Sequence, residues 1–348
     1  MTDVINGAAE MADGSPDRGA RRGAPQEGLG TQGRSRKASF ARRVAALGGI
    51  SALLLSGVVL AGSYAALARF SSNVRRVAVA HLAAAPGSGR DSAGNGQIVL
   101  FTSQDTAGAN AAGRKAAAPA LIMLLHVSSN QQSAVVASIP ATAVVRVPGH
   151  GATELGKTVT IGGPSLLVQT VEQVTHVRIN HYAQLDFGQV ANLVDTIGGV
   201  DLTLPRATMS YGLNFPAGDN HLSGTAATEY AWQPSLSEPE RILRQQSLIR
   251  AAMGKISDGH LLTDPVAMFG VFSALAGMLT VDSDFTSGQL AALARELASM
   301  GSESGTFLTA PAFTIGRKVM LRTTACRNLW AAVRSGSVLA LMAHSRAR

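Results

Sequence analysis

The stretch from Gly162 to Asp201 constrains the fold most strongly, because its hydrophobic period changes twice within it. Apolar residues recur at helical spacing over 164–174, which predicts a helix with one buried face. Residues 176–187 alternate apolar and polar side chains, which predicts a strand, with one slip at its centre that indicates a bulge. Residues 187–197 return to the helical period and end at two glycines. This order of elements predicts an α/β fold with a packed core.

Apolar runs bounded by Gly and Pro predict the other elements. Buried strands are predicted at 98–101, 121–127, 134–139 and 144–147, with short late strands at 307–308 and 319–321. Helices are predicted at 238–256, 265–278, 286–300 and 328–341. Because the early strands are continuously apolar, we expect a sheet that is covered on both faces.

An uncharged segment at 44–68 is 25 residues long and rich in Leu, Val and Ile. A helix of this length spans a bilayer, and the segment is too long for the usual cleaved signal peptide. More basic residues precede it than follow it: Arg34, Arg36, Lys37, Arg42 and Arg43 before, and Arg69, Arg75 and Arg76 after. The positive-inside bias therefore predicts a single-pass cell-membrane protein with a cytoplasmic N-terminus and an extracytoplasmic main domain.

The remaining chain divides by composition. Residues 1–43 contain few large apolar side chains, so we expect a disordered cytoplasmic tail. Residues 69–96 end in a stretch rich in Gly, Ser and Asn, which predicts a stalk or linker. The folded extracytoplasmic domain is then expected over 97–345.

The charge balance limits the possible partners. Lys and Arg exceed Asp and Glu by 30 to 22 over the whole chain, and by 22 to 17 from Arg69 onward. The chain lacks a basic stripe interleaved with aromatic residues, which argues against a nucleic-acid partner. The excess of positive charge instead favours a phosphate ligand or an anionic membrane surface. Cys326 is the only cysteine, which excludes an intramolecular disulfide and a cysteine-cluster metal site.

Several sequence blocks follow one another from about residue 97 to residue 255. They are IVLFTSQD from Ile98, LIMLLHV from Leu121, SIP from Ser138, VPG from Val147, GGPSLLVQTVEQVTHVRINHYAQLDF from Gly162, LVDTIGGVD from Leu193, LSG from Leu222, EY from Glu229 and RILRQQ from Arg241. In this order they resemble the LytR-CpsA-Psr family.

The resemblance implies a membrane-anchored extracytoplasmic phosphotransferase, which attaches glycopolymers carried on polyprenyl (pyro)phosphate to peptidoglycan. It implies a central mixed β-sheet flanked by helices, a hydrophobic tunnel for the lipid, and an arginine-rich opening that holds the pyrophosphate with Mg²⁺. Guanidinium groups and a divalent cation would stabilise the charge of the transferred group. Arg241 and Gln245 match the phosphate-contacting positions of the family.

The sequence departs from the family pattern at most charged positions of this opening. Where the family has Gly-Ser-Asp, Arg-Ser-Asp-Thr, Ser-Ile-Pro-Arg-Asp, Tyr-x-Arg-x-Arg and a single Asp, this chain has, in the same order, Thr102–Gln104, Ala118–Leu121, Ser138–Thr142, Tyr230–Pro234 and Glu238. The nearby charged residues that could substitute are Asp105, Arg114, Lys115 and Glu238.

Three functions are therefore consistent with the sequence. The first is an active transferase that uses Mg²⁺. The second is a pseudoenzyme that needs no cofactor and either binds polyprenyl-linked intermediates or regulates active relatives. The third is a structural envelope protein without a ligand. His126, His176 and His181 lack the spacing of a metal site, so we assign no metal ligand.

The helix predicted from Glu238 carries the clearest site candidates. At about 100° per residue, Arg241 and Gln245 lie on the flank of its apolar stripe and Arg244 points nearly opposite. We therefore expect Arg241 and Gln245 to line the edge of the tunnel and Arg244 to face water. Trp232, at a position where the family has arginine, would stack on sugar or lipid or simply fill space.

Overall fold

The computed structural model describes residues 74–83, 96–104, 121–128, 133–210, 212–233, 236–257, 261, 264–300, 305–316, 318–338 and 341. The predicted tail at 1–43 and the uncharged segment at 44–68 lie outside these residues. Within the described ranges, no helix combines the length and the hydrophobicity needed to cross a membrane.

The described elements form runs of strands separated by one or more helices along the chain. The strands are β1 (Arg75–Val77), β2 (Gln97–Gln104), β3 (Ile122–Val127), β4 (Ala134–Ser138), β5 (Val144–Val147), β6 (Gly151–Glu154), β7 (His181–Asp186), β8 (Val200–Leu204), β9 (Thr208–Ser210), β10 (Leu213–Phe215), β11 (Gly218–Leu222), β12 (Leu279–Asp282), β13 (Gly305–Thr309), β14 (Ala312–Ile315) and β15 (Lys318–Leu321). The helices are α1 (Ala80–Ala83), α2 (Lys157–Thr175), α3 (Val190–Thr196), α4 (Gly224–Ala231), α5 (Glu238–Ser257), α6 (Pro265–Met278), α7 (Ser287–Met300) and α8 (Thr323–Ser335).

Seven strands form one mixed sheet in the order β1-β12-β7-β2-β3-β4-β13. β2 runs parallel to β7, β4 to β13 and β1 to β12, whereas β3 is antiparallel to both of its neighbours and β12 is antiparallel to β7. The C-terminal ends of β2, β4, β7 and β13 consequently lie at one edge of the sheet. The expected central mixed β-sheet flanked by helices is confirmed.

Both faces of the sheet are covered, which explains the continuous apolar runs. All six residues of β3 and all five of β4 are buried. Helices α3 to α7 contribute to the hydrophobic cluster on one face, and α1, α2 and α8 to the cluster on the other. Successive strand residues enter opposite clusters, as Leu124 and Leu125 do.

Some predicted boundaries are wrong. The helix predicted from residue 164 is present as the second part of α2, after a kink at Gly162 and Gly163 where Gly163 adopts a φ of 69°, but the first part of α2, from Lys157, was not predicted. The pairing of β7 with β2 is continuous, so the predicted bulge is absent from this strand. Burial on both faces produced the slip in alternation there. The C-terminal helix α8 begins five residues before the predicted 328.

The stalk predicted at 69–96 is wrong for the part that the structure describes. Strand β1 lies at an edge of the central sheet, where Arg75 pairs with Thr280 and Val77 with Asp282. Val79, which follows it, is buried. The folded domain therefore begins before residue 97. A three-residue strand that starts with two exposed arginines has no apolar pattern from which to predict it.

Helices α3 and α4 meet at Gly224. A Cβ added at this position would overlap the carbonyl oxygen of Ala191 in α3. The backbone N–H of Gly224 donates a hydrogen bond to Asp195 Oδ1 at 2.7 Å. The Asp195 side chain therefore satisfies one of the free backbone donors at the N-terminus of α4. The LVDTIGGVD and LSG blocks therefore form one structural contact, and this contact requires glycine.

Gly224→Ala is expected to destabilise the protein by about 1–3 kcal/mol or more, because the backbone of α3 must move to admit the methyl group. Gly277→Ala in α6 is the control, since an added Cβ there meets no atom within 4 Å. It is expected to stabilise by about 0.4–1 kcal/mol. Thermal unfolding of the two full-length variants measures the difference, and equal melting temperatures would contradict the close approach of α3 and α4.

Candidate functional site

An apolar cavity of about 330 Å³ lies between the sheet and helices α3, α5, α6 and α7. Every side chain that lines it is hydrophobic; Phe101, Met123 and Val136 face it from the sheet, and Leu248 from α5. A cavity lined almost entirely by apolar groups disfavours ordered water, and it suits a hydrocarbon ligand.

The polar groups next to the cavity lie at the sheet edge where β2, β4, β7 and β13 end. We call this region the mouth, and it consists of the described residues 102, 103, 138–142, 186, 238, 241, 245, 246 and 309. It adjoins the cavity, because the next turn of α5 contributes Leu248 and Ile249 to the cavity lining.

Glu238 and Arg241 form an ion pair at the mouth, one helical turn apart on α5. The other carboxylate oxygen of Glu238, Oε1, accepts a hydrogen bond from Ala141 N at 2.8 Å. The exposed fractions of the Arg241 and Glu238 side chains are 19% and 9%. The charge of Arg241 is thus balanced by a nearly buried carboxylate, which also holds the segment after β4 against the start of α5.

Gln245 is fully buried, and neither its amide nitrogen nor its amide oxygen has a hydrogen-bond partner among the described residues. The Nε of Arg241, one turn earlier on α5, is buried and unpaired within the same part of the chain. An unpaired buried polar group costs about 1–3 kcal/mol. These orphaned atoms mark a position where the polar group of a ligand, or water, completes the hydrogen bonding.

Gln246 ties α5 to the sheet, a role that the sequence analysis missed. Its Nε2 donates to Ser138 Oγ at 2.8 Å and to Leu308 O at 2.9 Å, and it lies 3.3 Å from Thr309 Oγ1. The only available signal was its place beside Gln245 in the RILRQQ block. That signal does not distinguish a ligand-binding amide from a structural one.

The prediction that Arg244 faces water is wrong. Its Nη1 donates to Tyr230 O and to Gln233 Oε1, both at 3.1 Å, and its guanidinium carbon lies 4.5 Å from the centroid of the Tyr230 ring. Burial raises the pKa of the Tyr230 hydroxyl, and the charge of Arg244 offsets part of this rise. Because α4 packs beside α5 here, a residue on the polar side of the helical wheel is half-buried.

Trp232 lines the cavity and packs against Phe187, with 3.7 Å between the ring centroids. Its Nε1 is buried and has no hydrogen-bond partner in the described part of the chain. The indole therefore fills space where β7 ends, and it places one donor beside the mouth.

The three histidines have structural surroundings. His126 and His181 are buried, and His181 Nδ1 lies 3.1 Å from Asp282 Oδ2. His176 ends α2 in the left-handed conformation, with a φ of 54°. The described surroundings of these residues are therefore those of structural side chains.

Residues 72–324 of the chain match the model of the LytR_cpsA_psr family. The chain belongs to this family. The match starts just before β1 and ends at the start of α8, so it includes every described strand of the central sheet.

Curated relatives are about one third identical to this LytR_cpsA_psr protein over the part that aligns. The probable cell wall biosynthesis protein LcpB of Corynebacterium glutamicum is 34% identical over 164 residues, which are 46% of this chain and 39% of LcpB. The polyisoprenyl-teichoic acid–peptidoglycan teichoic acid transferase TagU of Oceanobacillus iheyensis is 30% identical over 151 residues, which are 41% of this chain and 47% of TagU. The chain thus spans less than half the length of these relatives.

A solved structure has the same fold. The LytR-Csp2A-Psr enzyme from Actinomyces oris superposes with a TM-score of 0.60 at 21% identity, covering 75% of this chain and 95% of the other. At this identity the likeness is one of fold.

The described mouth does not fit the Mg²⁺ that the family resemblance implies. Mg²⁺ requires oxygen ligands in near-octahedral geometry. Among the residues that the structure describes, no three His, Cys, Asp or Glu side chains group together. The Glu238 carboxylate is bound by Arg241 and Ala141, and Asp186 accepts a hydrogen bond from Gly188 N at 3.0 Å.

The other residues that could substitute for the lost charges are Asp105, Arg114 and Lys115. They lie between β2 and β3, outside the described residues. Of the substitutes named from the sequence, the structure describes only Glu238, and Glu238 pairs with Arg241.

Gln245→Met is expected to stabilise the protein without ligand by about 1 kcal/mol or more, because methionine has a similar shape and removes two unpaired polar atoms. Gln246→Met, the matched neighbour, is expected to destabilise it by about 1–3 kcal/mol, because the contacts of Gln246 with Ser138 and Leu308 are lost. Chemical denaturation of both full-length variants gives the two values. A clear loss of stability for Gln245→Met would show that the amide of Gln245 is already satisfied.

Proposed function

We propose that the protein acts in cell-wall assembly by binding a glycopolymer linked to polyprenyl (pyro)phosphate and holding it for attachment to peptidoglycan. The observation that carries the proposal is an apolar cavity that adjoins a mouth with orphaned hydrogen-bonding groups. A hydrocarbon chain with a polar phosphate end has both of the required parts.

The lipid would occupy the cavity between the sheet and the helices. Burying hydrocarbon contributes about 0.8 kcal/mol per CH₂ group, so a polyprenyl chain supplies most of the affinity. Four alanines line the cavity, namely Ala134, Ala183, Ala252 and Ala294, and their small side chains suit a hydrocarbon chain with branching methyl groups.

The phosphate would lie at Arg241 and Gln245. Arg241 Nε and the Gln245 amide nitrogen are donors without partners in the described mouth, and phosphate oxygens accept such hydrogen bonds. Because Glu238 already balances the Arg241 charge, the mouth attracts the head group weakly and mainly orients it.

We place the domain outside the cytoplasm, held by a single membrane span at 44–68 and following a cytoplasmic tail. The length of that uncharged segment and the excess of basic residues before it support this topology. A membrane location suits a ligand that itself resides in the membrane.

A second candidate function is the transfer reaction itself, which the name of the TagU relative favours. Phosphoryl transfer depends on positive groups that stabilise the transferred phosphate. In the described mouth Arg241 is paired with Glu238, so this support is weak. Release of glycopolymer from its lipid by the purified full-length protein would favour the transferase. The third possibility, a structural envelope protein without a ligand, does not explain why the cavity exists.

Ala252→Trp is expected to fill the cavity from α5 and to reduce the binding of a polyprenyl phosphate at least about tenfold, because it displaces several buried CH₂ groups. Leu243→Trp is the control, since residue 243 lies on the exposed side of the same helix with an exposed fraction of 60%. A titration of each full-length variant with polyprenyl monophosphate in detergent measures the affinities. Unchanged binding by a folded Ala252→Trp variant contradicts a lipid in the cavity.

Arg241→Ala is expected to weaken the same binding by about 0.5–1.5 kcal/mol, the range for an ordinary hydrogen bond, because Glu238 already balances the charge of Arg241. Because the change leaves Glu238 without its cation, the double variant with Glu238→Gln is measured beside it, and thermal unfolding of each is recorded. Arg206→Ala is the control, since Arg206 pairs with Glu240 near the same helix end. Equal affinities of the wild type and both Arg241 variants would show that Arg241 is only structural.

A further inference from the structure

The hairpin formed by β14 and β15 exposes apolar side chains to solvent. Phe313 and Ile315 have exposed fractions of 38% and 62%. They are two residues apart on β14, so they project from the same face of the hairpin. Exposed apolar residues that lie together on one face indicate a contact surface.

Cations surround these apolar residues. Lys318 pairs with Ile315 across the hairpin, and the guanidinium carbon of Arg322 lies 5.5 Å from the centroid of the Phe313 ring. The stretch 312–322 contains Arg317 as a third basic residue and has no Asp or Glu. The hairpin is therefore both apolar and basic.

A further arginine, Arg146, lies in β5, which follows the bridge to β15. Ala143 forms a parallel bridge with Val319, and Arg146 and Arg322 each follow three residues later. Both are exposed, and in the described part of the chain neither makes an ion pair. Their positive charge is therefore not balanced by a carboxylate in the described part of the chain, which favours an anionic partner.

We propose that the β14–β15 hairpin docks on an anionic lipid surface, with Phe313 and Ile315 in the interfacial region and Arg146, Lys318 and Arg322 against lipid phosphates. A soluble anionic polymer would satisfy the cations and leave Phe313 and Ile315 in water, whereas a membrane interface accommodates both. Apolar side chains flanked by basic ones are typical of such an interface.

The position of the hairpin makes this contact useful. Ala310, just before β14, donates its backbone N–H to Ser138 O at 2.8 Å, so the hairpin starts beside the end of β4 at the mouth. Docking would bring the mouth close to the membrane surface. The inference is independent of the proposed polyprenyl binding, because it concerns different residues and a different lipid.

An environment-sensitive fluorophore at Ile315→Cys in the full-length protein tests the docking. Val266→Cys is the control position, since Val266 has an exposed fraction of 79% and begins α6. Cys326 is buried and burial raises the pKa of its thiol, so the introduced cysteine is labelled selectively. The labelled proteins are reconstituted in vesicles of phosphatidylcholine, with or without phosphatidylglycerol, that carry acyl-chain quenchers.

We expect a blue shift and quenching of the label at 315 in vesicles with phosphatidylglycerol, and neither effect at 266. Lys318→Glu with Arg322→Glu should abolish both effects. Equal quenching at 315 and 266, or no dependence on phosphatidylglycerol, overturns the proposal. A blue shift without vesicles also overturns the proposal. If that shift grows with protein concentration, the face binds a second copy of the protein; if it requires soluble polyglutamate, the face binds an anionic polymer.

Discussion

The direction of four strands determines where the polar groups of this protein gather. Because β2, β4, β7 and β13 run the same way, the segments that follow them meet at one edge of the sheet. Gln246 then joins two of these ends, by contacting Ser138, the last residue of β4, and Thr309, the last residue of β13. Without this common direction, the start of α5 would have no strand ends to contact, and the cavity would have no mouth.

The cavity and the mouth contribute different forces. The cavity offers hydrophobic burial, which is large but does not orient a ligand. The mouth offers hydrogen bonds, which are directional but contribute little when the nearest guanidinium is already paired. Under the proposed function, such a protein would retain an amphipathic lipid without strongly stabilising charge at its phosphate. This difference is the physical basis for preferring a binding role to catalysis.

Several blocks that carry the family resemblance are explained by packing. Asp195 and Gly224 belong to two blocks and meet at the contact of α3 with α4. Glu238 holds the backbone of Ala141, and Gln246 holds the ends of two strands. A motif residue can therefore persist because the fold requires it, even where the charged groups beside it have been replaced.

The sequence by itself determined the buried strands, the long helices and the family, because apolar runs and helical periods depend only on the order of residues. It also identified Arg241 and Gln245 as neighbours on one helix face, since helical geometry is local. Only the tertiary structure decided that β1 completes the sheet edge, that Arg244 is enclosed by α4, and that Glu238 balances Arg241. These outcomes depend on which distant segments pack together, and backbone pairing and ion pairs between such segments leave no periodic pattern in a single sequence.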